Sequence, residues 1–218
     1  MTASDSMHAY YSARAQYMAK DFEDDPREWV QEIIAELMAL GRDRTVLEVA
    51  CGTGNWTRLV SKCARSITAT DYSEKMLEVA RSRQIPNARF LQADAYDLGG
   101  VGNERCEFGF AMWLASHLAL SRWHEFITAF HAHLKPGAKV LLVDDIRRAD
   151  DGDPWFSKLA TRDSYEIRRL PNGESYEIVK TYFTPDQLRS LLQPHAENIQ
   201  LRYERPCWRV TYEVREGE

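Results

Sequence analysis

Three carboxylates, Glu48, Asp71 and Asp94, each stand at or near the end of a short apolar run, and a turn carrying Gly52 and Gly54 follows the first of them. Glycines one residue apart permit left-handed backbone and let a ligand approach the main chain closely. An acid about twenty residues beyond such a turn lies where ribose hydroxyls are met in nucleotide-binding folds. The chemistry on offer is therefore recognition of a nucleoside. A dinucleotide fingerprint would need a third glycine where Thr57 stands, and a Walker loop would need a lysine between Gly52 and Lys62, where none occurs. Glu48 would repel a pyrophosphate and welcome a cation. The pattern suits a positively charged, phosphate-free nucleoside.

Positioning these groups requires strands and helices in alternation. The run 45–49 is short, β-branched and apolar, which reads as a buried parallel strand, and a helix over 55–63 follows the glycine turn. Further strands are expected at 66–70, 88–92, 107–113 and 138–144, with helices at 74–82 and 121–133 between them. This order implies right-handed crossovers and a mostly parallel sheet covered by helices on both faces. Two helices precede it, over 4–20 and from Pro26 to about Leu40, the second with Asp25 as N-cap and Pro26 in the first turn. A last helix, opened by Thr184 and Pro185, leads to strands near 197–204 and 207–214.

The segment Glu48-Val49-Ala50-Cys51-Gly52-Thr53-Gly54 resembles the glycine-rich first motif of class I S-adenosylmethionine (SAM) dependent methyltransferases. Ser66 to Asp71, Phe90 to Ala95 and Leu134 to Val143 resemble that family's second, third and fifth strand motifs, in the same order. The resemblance covers roughly residues 45 to 145. It implies a Rossmann-like, seven-stranded α/β domain ending in an antiparallel hairpin, and SAM as cofactor. It further implies Asp71 at the ribose, Asp94 and Ala95 at the adenine, and Asn55, Trp56, Tyr72, Met76 and Met112 along the cofactor. Asp71 also has a simpler reading as a cap for the helix at 74, as does Asp94 in its own turn. Cys51 reads as a small packing side chain rather than a nucleophile.

Because SAM arrives with an activated methyl, the enzyme must chiefly align a nucleophile and exclude water, and a base is needed only where the nucleophile is protonated. Trp113 and His117 follow the fourth strand, where the family brings its acceptor near the methyl. His117 is the base candidate because its ordinary pKa lies near neutrality, and a hydrogen-bonded surface histidine is the competing reading. Trp113 is placed as a pocket wall or acceptor stack, with core packing as the alternative. Tyr10 to Tyr17 resembles a lid helix, in which Tyr11 and Arg14 would reach the methionine carboxylate. Ser164 to Leu170 and Ser175 to Lys180 flank Pro171-Asn172-Gly173-Glu174, a strong hairpin signal. The repeated Ser-Tyr-Glu-Ile predicts like faces on its two strands. This hairpin either borders the acceptor pocket, together with Tyr182, or serves as an edge for contact between two copies in a homodimer.

The whole chain thus reads as one domain over 1–218: a helical lid at 1–41, a cofactor core at 42–145, the hairpin insertion at 146–183, and the last helix and strands at 184–218. At 218 residues, 44% apolar and 28% charged, it has the composition of a soluble globular domain. Its four cysteines show no metal spacing or disulfide framework, and its start lacks a secretion signal, so a cytoplasmic setting and no bound metal are expected. A net charge of −5, with Arg147-Arg148 and Arg168-Arg169 as the only short basic clusters, argues against nucleic acid, and the apolar runs are too short for a membrane. A small metabolite, aromatic given Trp113, Trp123, Tyr182 and Trp208, is the expected partner, methylated on O, N or S. A SAM-binding partner or regulatory protein without transfer activity is the alternative.

Overall fold

The computed structural model describes residues 3–17, 24–147, 155–157 and 163–215; Arg148 lies outside them, as does part of the 146–183 insertion. Helix α1 (Ala3–Arg14) ends in a 3-10 turn, and α2 (Glu28–Gly41) follows. The N-cap of α2 is Arg27, not Asp25. Asp25 instead accepts the Arg27 amide at 3.0 Å and pairs with its guanidinium, which holds the chain in a turn before the helix begins.

The alternation then runs β1 (Thr45–Val49), α3 (Asn55–Ser61), β2 (Ser66–Asp71), α4 (Glu74–Ser82), β3 (Ala88–Gln92), β4 (Cys106–Met112), α5 (Trp123–Ala132) and β5 (Leu134–Asp145). After it come β6 (Trp155–Ser157), β7 (Ser164–Arg169), β8 (Ser175–Val179), α6 (Pro185–Leu192), β9 (Ala196–Glu204) and β10 (Cys207–Val214). The main sheet has seven strands in the order β3-β2-β1-β4-β5-β10-β9. Strands β1 to β5 pair in parallel, and β10 is antiparallel to both β5 and β9. The order reverses direction between β1 and β4, the switch point at which ligands bind outside the carboxyl ends of such strands. Strand β5 begins at Leu134, ahead of the strand expected at 138–144, because Leu134 pairs with Cys106 beyond a register shift.

Side-chain alternation divides the core into two layers. Val46, Phe108, Phe110, Leu141 and Val143 meet Val30, Ile33 and Leu37 of α2 and Leu59 of α3 on one face. Leu47, Val140, Leu142, Val210 and Tyr212 meet Phe126 and Phe130 of α5 and Leu188 of α6 on the other. Each such fully buried side chain contributes about 1.5–3 kcal/mol relative to exposure. Among the described residues no helix is long and apolar enough to cross a membrane.

The insertion forms its own three-stranded sheet, β6-β7-β8, and its turn is closed by the Gly173 amide donating to Leu170 O at 2.9 Å. Its faces differ from expectation. Tyr165 pairs with Val179 and Arg168 with Tyr176, so odd-numbered positions of both strands share one face. Tyr165 and Tyr176 therefore point to opposite sides, because a period of two separates any residues an odd number apart. Tyr176 packs on Tyr10 of α1, with ring centroids 5.7 Å apart, and ties the lid helix to the hairpin.

Candidate functional site

A cleft of about 600 Å³ opens at the carboxyl ends of β1, β2, β4 and β5, under α1 and beside the hairpin. On its glycine-loop side the order is set by the backbone. Ala50 (φ 59°), Gly52 (φ 55°) and Gly54 (φ 76°) all take left-handed angles, which turn the chain sharply from β1 into α3. A Cβ at Gly52 would meet no protein atom within 4 Å and would project into the cleft. At Gly54 a Cβ would come within 3.1 Å of the Ala80 Cβ, so this glycine serves helix approach and does not line the cleft. Arg83 braces the loop from outside, donating to Thr53 O at 2.6 Å and to the Asn55 side chain.

Asp71 accepts the Gly52 amide at 2.8 Å through one oxygen and the Ser73 amide at 2.8 Å through the other. It thereby ties the end of β2 to the glycine turn, and burial pushes its carboxyl up. The cap of α4 is Ser73, whose hydroxyl accepts the Met76 amide, so Asp71 is not the N-cap. Asp94 accepts the Tyr96 amide at 2.9 Å and borders the cleft near Ala95. The Tyr96 ring lies 3.6 Å from the Arg122 guanidinium, and its hydroxyl accepts the Ala119 amide. Cys51 is buried, its thiol pushed up by burial, which suits a small wall residue.

The hairpin side gathers groups from distant segments. Trp113, at a left-handed φ of 56°, stacks on Trp56 with centroids 5.5 Å apart and donates its indole N–H to Asp145 at 2.8 Å. Lys180 is 1% exposed and donates to Asp145 at 2.8 Å, to Ser116 Oγ at 2.9 Å and to Asp144 at 3.4 Å. Burial opposes charge on this ammonium, but the two aspartates raise its pKa above the ordinary value. Burial pushes Asp144 up, whereas Lys180 and the Trp113 indole overcome burial and hold Asp145 low, as a carboxylate. His117 faces two partners: Nδ1 lies 2.8 Å from Val179 O, and Nε2 lies 2.7 Å from Tyr11 Oη. A carbonyl only accepts, so Nδ1 carries the hydrogen and Nε2 accepts from the Tyr11 hydroxyl. Burial and then Lys180 drive His117 down to about 3, and burial pushes the Tyr11 phenol up to about 12.

Of the residues singled out by sequence, Tyr11, Arg14, Gly52, Asn55, Trp56, Asp71, Tyr72, Met76, Asp94, Ala95, Met112, Trp113 and His117 line the cleft. Three do not. Glu48 shares the α3-facing side of β1 with Val46, is 1% exposed, and accepts the Thr57 hydroxyl. Burial pushes its carboxyl up to about 8, and it supports the loop from beneath rather than facing a ligand. Gly54 faces α4, as described. Tyr182 donates to Glu166 at 3.2 Å, with its ring 5.3 Å from Lys180, and stands behind the wall. His117 lines the cleft with both ring nitrogens engaged, by Val179 O and the Tyr11 hydroxyl. Lys180, Asp145, Arg168 and Arg83 were missed. Paired acids closing the apolar run 140–143, at the carboxyl end of a strand, were a signal for Asp145.

Residues 46–137 match a family described as a methyltransferase domain. Among solved structures the chain is similar to DhpI in a complex with SAH (TM-score 0.75, 23% identity, 97% of each chain). It is similar also to DhpI in a complex with SAM and HEP (TM-score 0.73, 25% identity, 95% of this chain and 96% of that one). A curated relative is the tRNA N(3)-methylcytidine methyltransferase trm140 of Schizosaccharomyces pombe, 27% identical over 54% of this chain and 43% of its own length. Another is the demethylmenaquinone methyltransferase of Staphylococcus aureus strain MRSA252, 33% identical over 32% of this chain and 31% of its own. The chain spans less than half the length of these curated relatives. Residues 46–137 thus match a methyltransferase domain, and the chain shares the fold of structures that hold SAM or SAH.

Proposed function

We propose that this protein transfers a methyl group from SAM to an O, N or S nucleophile of a small metabolite. The observation that carries the reading is one continuous cleft, with nucleoside-type acids at one side and an aromatic, charged wall at the other. The residues fit the cofactor. Gly52 leaves open space at the main chain, and Asp71 and Asp94 border the cleft with carboxylates suited to hydroxyl and amino donors. Among the described residues Arg14 makes no ion pair, only a contact 5.7 Å from the Tyr10 ring, and it suits a terminal carboxylate. A volume of about 600 Å³ falls in the range of small-molecule clefts.

SAM, when bound, supplies a methyl group already activated by its sulfonium. The chain's own part is to bind, align and exclude water. Trp113 is fixed by its backbone bond to Val143 O at 2.7 Å and its indole bond to Asp145, so its ring is a rigid wall. Helix α1 roofs the cleft, held by the Ser12–Ser73 bond at 2.9 Å, the His8–Tyr72 stack at 3.5 Å and Tyr11 on His117. Such closure brings alignment, which is worth up to about 7–11 kcal/mol of barrier.

A small acceptor, not a tRNA or a membrane component, is favoured by this roof and by the net charge of −5. Four free cysteines accord with a cytoplasmic setting. Calorimetry with SAM and SAH, followed by mass spectrometry of a metabolite screen, tests the reading. Binding of both, with methylated product from at least one small molecule, is the expected result. Tight binding without product from any acceptor would instead support the regulatory alternative.

A further inference from the structure

The glycine loop is gripped from both ends of α4. Asp71, shortly before that helix, accepts the Gly52 amide at 2.8 Å. Arg83, directly after it, donates its Nε–H to Thr53 O at 2.6 Å and an Nη2–H to Asn55 Oδ1 at 2.5 Å. Thr53 and Asn55 line the cleft and Arg83 does not, so any action of Arg83 on a ligand passes through the loop.

Arg83 decides which way the Asn55 amide faces. A guanidinium only donates, so the amide oxygen takes that contact and the NH2 group is turned away from it. Among the described residues Asn55 Nδ2 has no hydrogen-bond partner, and although the residue is only 8% exposed this nitrogen is not sealed from solvent. It therefore opens on the cleft that Asn55 lines, as a donor only.

The strand order tells which part of the cofactor it meets. Asp94 follows β3, Asp71 ends β2, the loop follows β1 and Trp113 follows β4, and these strands are neighbours in the order β3-β2-β1-β4. With adenine at Asp94 and ribose at Asp71, the rest of SAM, its sulfur and amino acid chain, runs over the loop toward Trp113. That chain carries a carboxylate, which accepts hydrogen bonds, and an ammonium, which donates them. A donor-only amide suits the first and offers the second nothing.

We infer that Asn55 is a direct contact for the cofactor carboxylate, and that Arg83 is the positioning residue that fixes its amide in the donor sense. This rests on the methyltransferase reading and names the groups by which the loop tells a cofactor with a carboxylate from one without. Arg14 of α1 and Asn55 of the loop then share that carboxylate. Neither Asn55 nor Arg83 takes part in bond making or proton transfer.

The test uses the full chain, with calorimetric titration of SAH and competition by S-adenosyl-3-thiopropylamine, which is SAH without its carboxylate. Asn55→Ala should weaken SAH roughly tenfold to a hundredfold and leave the amine analogue unchanged. Asn55→Asp turns a negative oxygen to the cleft, so SAH should fall further while the amine analogue tightens. Arg83→Met should weaken SAH by a similar factor with the analogue unaltered, since an unheld amide turns either way, and Arg83→Lys, which keeps one donor, should recover part of the loss. A loop merely loosened would weaken both ligands alike. Should Arg83→Met fail to fold in thermal melts, Arg83→Lys and the two Asn55 variants carry the test. Equal losses for both ligands, SAH affinity indifferent to Asn55→Ala, or no gain for the analogue with Asn55→Asp would each overturn the inference. In those cases SAH binding by the unsubstituted chain leaves the methyltransferase reading standing, whereas its failure to bind SAM or SAH removes both.

Discussion

The two sides of the cleft are built by different means. The glycine-loop side uses consecutive backbone: a left-handed turn at 50–54, Asp71 bonded to the Gly52 amide across a span of 19 residues, and Asp94 in its own short turn. The hairpin side joins Tyr11 to His117 across 106 positions and Lys180 to Asp145 across 35, through side chains whose partners lie on other elements. Backbone geometry tolerates change in the surrounding residues, while a buried charge network depends on every member being present. The glycine-loop side is thus held by local backbone, and the hairpin side by side-chain contacts between segments far apart in the chain.

The contrast breaks most sharply at Lys180. Lys180→Met would leave fully buried Asp144 facing Asp145 without its counter-charge, and a loss of about 3–5 kcal/mol of stability is expected by denaturant titration. A loss below about 1 kcal/mol would mean that the network is not what holds the hairpin to β5.

On the other side, Asp71→Ala removes the proposed ribose acceptor together with the tie to Gly52, and should weaken SAM by about 1.5–3 kcal/mol in calorimetry. Unaltered affinity would sink that assignment.

Tyr11→Phe deletes the hydroxyl that His117 accepts. A fall of roughly tenfold in kcat/KM with SAH affinity retained is expected, the cost of a misaligned acceptor side. Equal loss in SAH binding would move Tyr11 to the cofactor side.

Glu48 supplies a pH signature beneath the loop. Its folded pKa of about 8 lies above its unfolded value, so the folded state binds more protons between roughly pH 4.5 and 8 and stability falls as pH rises across that window. Glu48→Gln should flatten this fall in thermal melts from pH 5 to 8; an equally steep fall in the variant would exclude Glu48 as its source.

The smallest effect belongs to Cys51. As a packing residue, Cys51→Ala should shift SAM affinity by less than about 1 kcal/mol in the same calorimetry. A larger loss would give its thiol a contact role.

Legibility followed the same division. Strands 45–49 and 88–92 and the helix at 74–82 fall where apolar runs and caps place them, because local hydrophobic pattern and capping decide such elements. Asp71 and Asp94 were readable because their spacing from the glycine turn is a local distance along βαβ units. Glu48 was misjudged because one position along a strand reverses the face a side chain serves, and only the placement of α3 showed that Thr57 would meet it. Gly54 was credited to a ligand because sequence does not reveal how closely α4 passes. Tyr182 and the hairpin faces failed for want of a register. Lys180 carried no signal of its own, since a lysine after two apolar residues reads as an exposed strand end.

By itself the sequence determined the doubly covered sheet, the glycine turn and the acids that follow it, because these depend on contacts within one or two neighbouring elements. Tertiary structure alone decided that His117 is locked between Val179 and Tyr11, and that Lys180, Asp145 and Arg168 share one cleft. Burial and the electrostatic field of groups far apart in the chain set those properties, and neither is a function of local spacing.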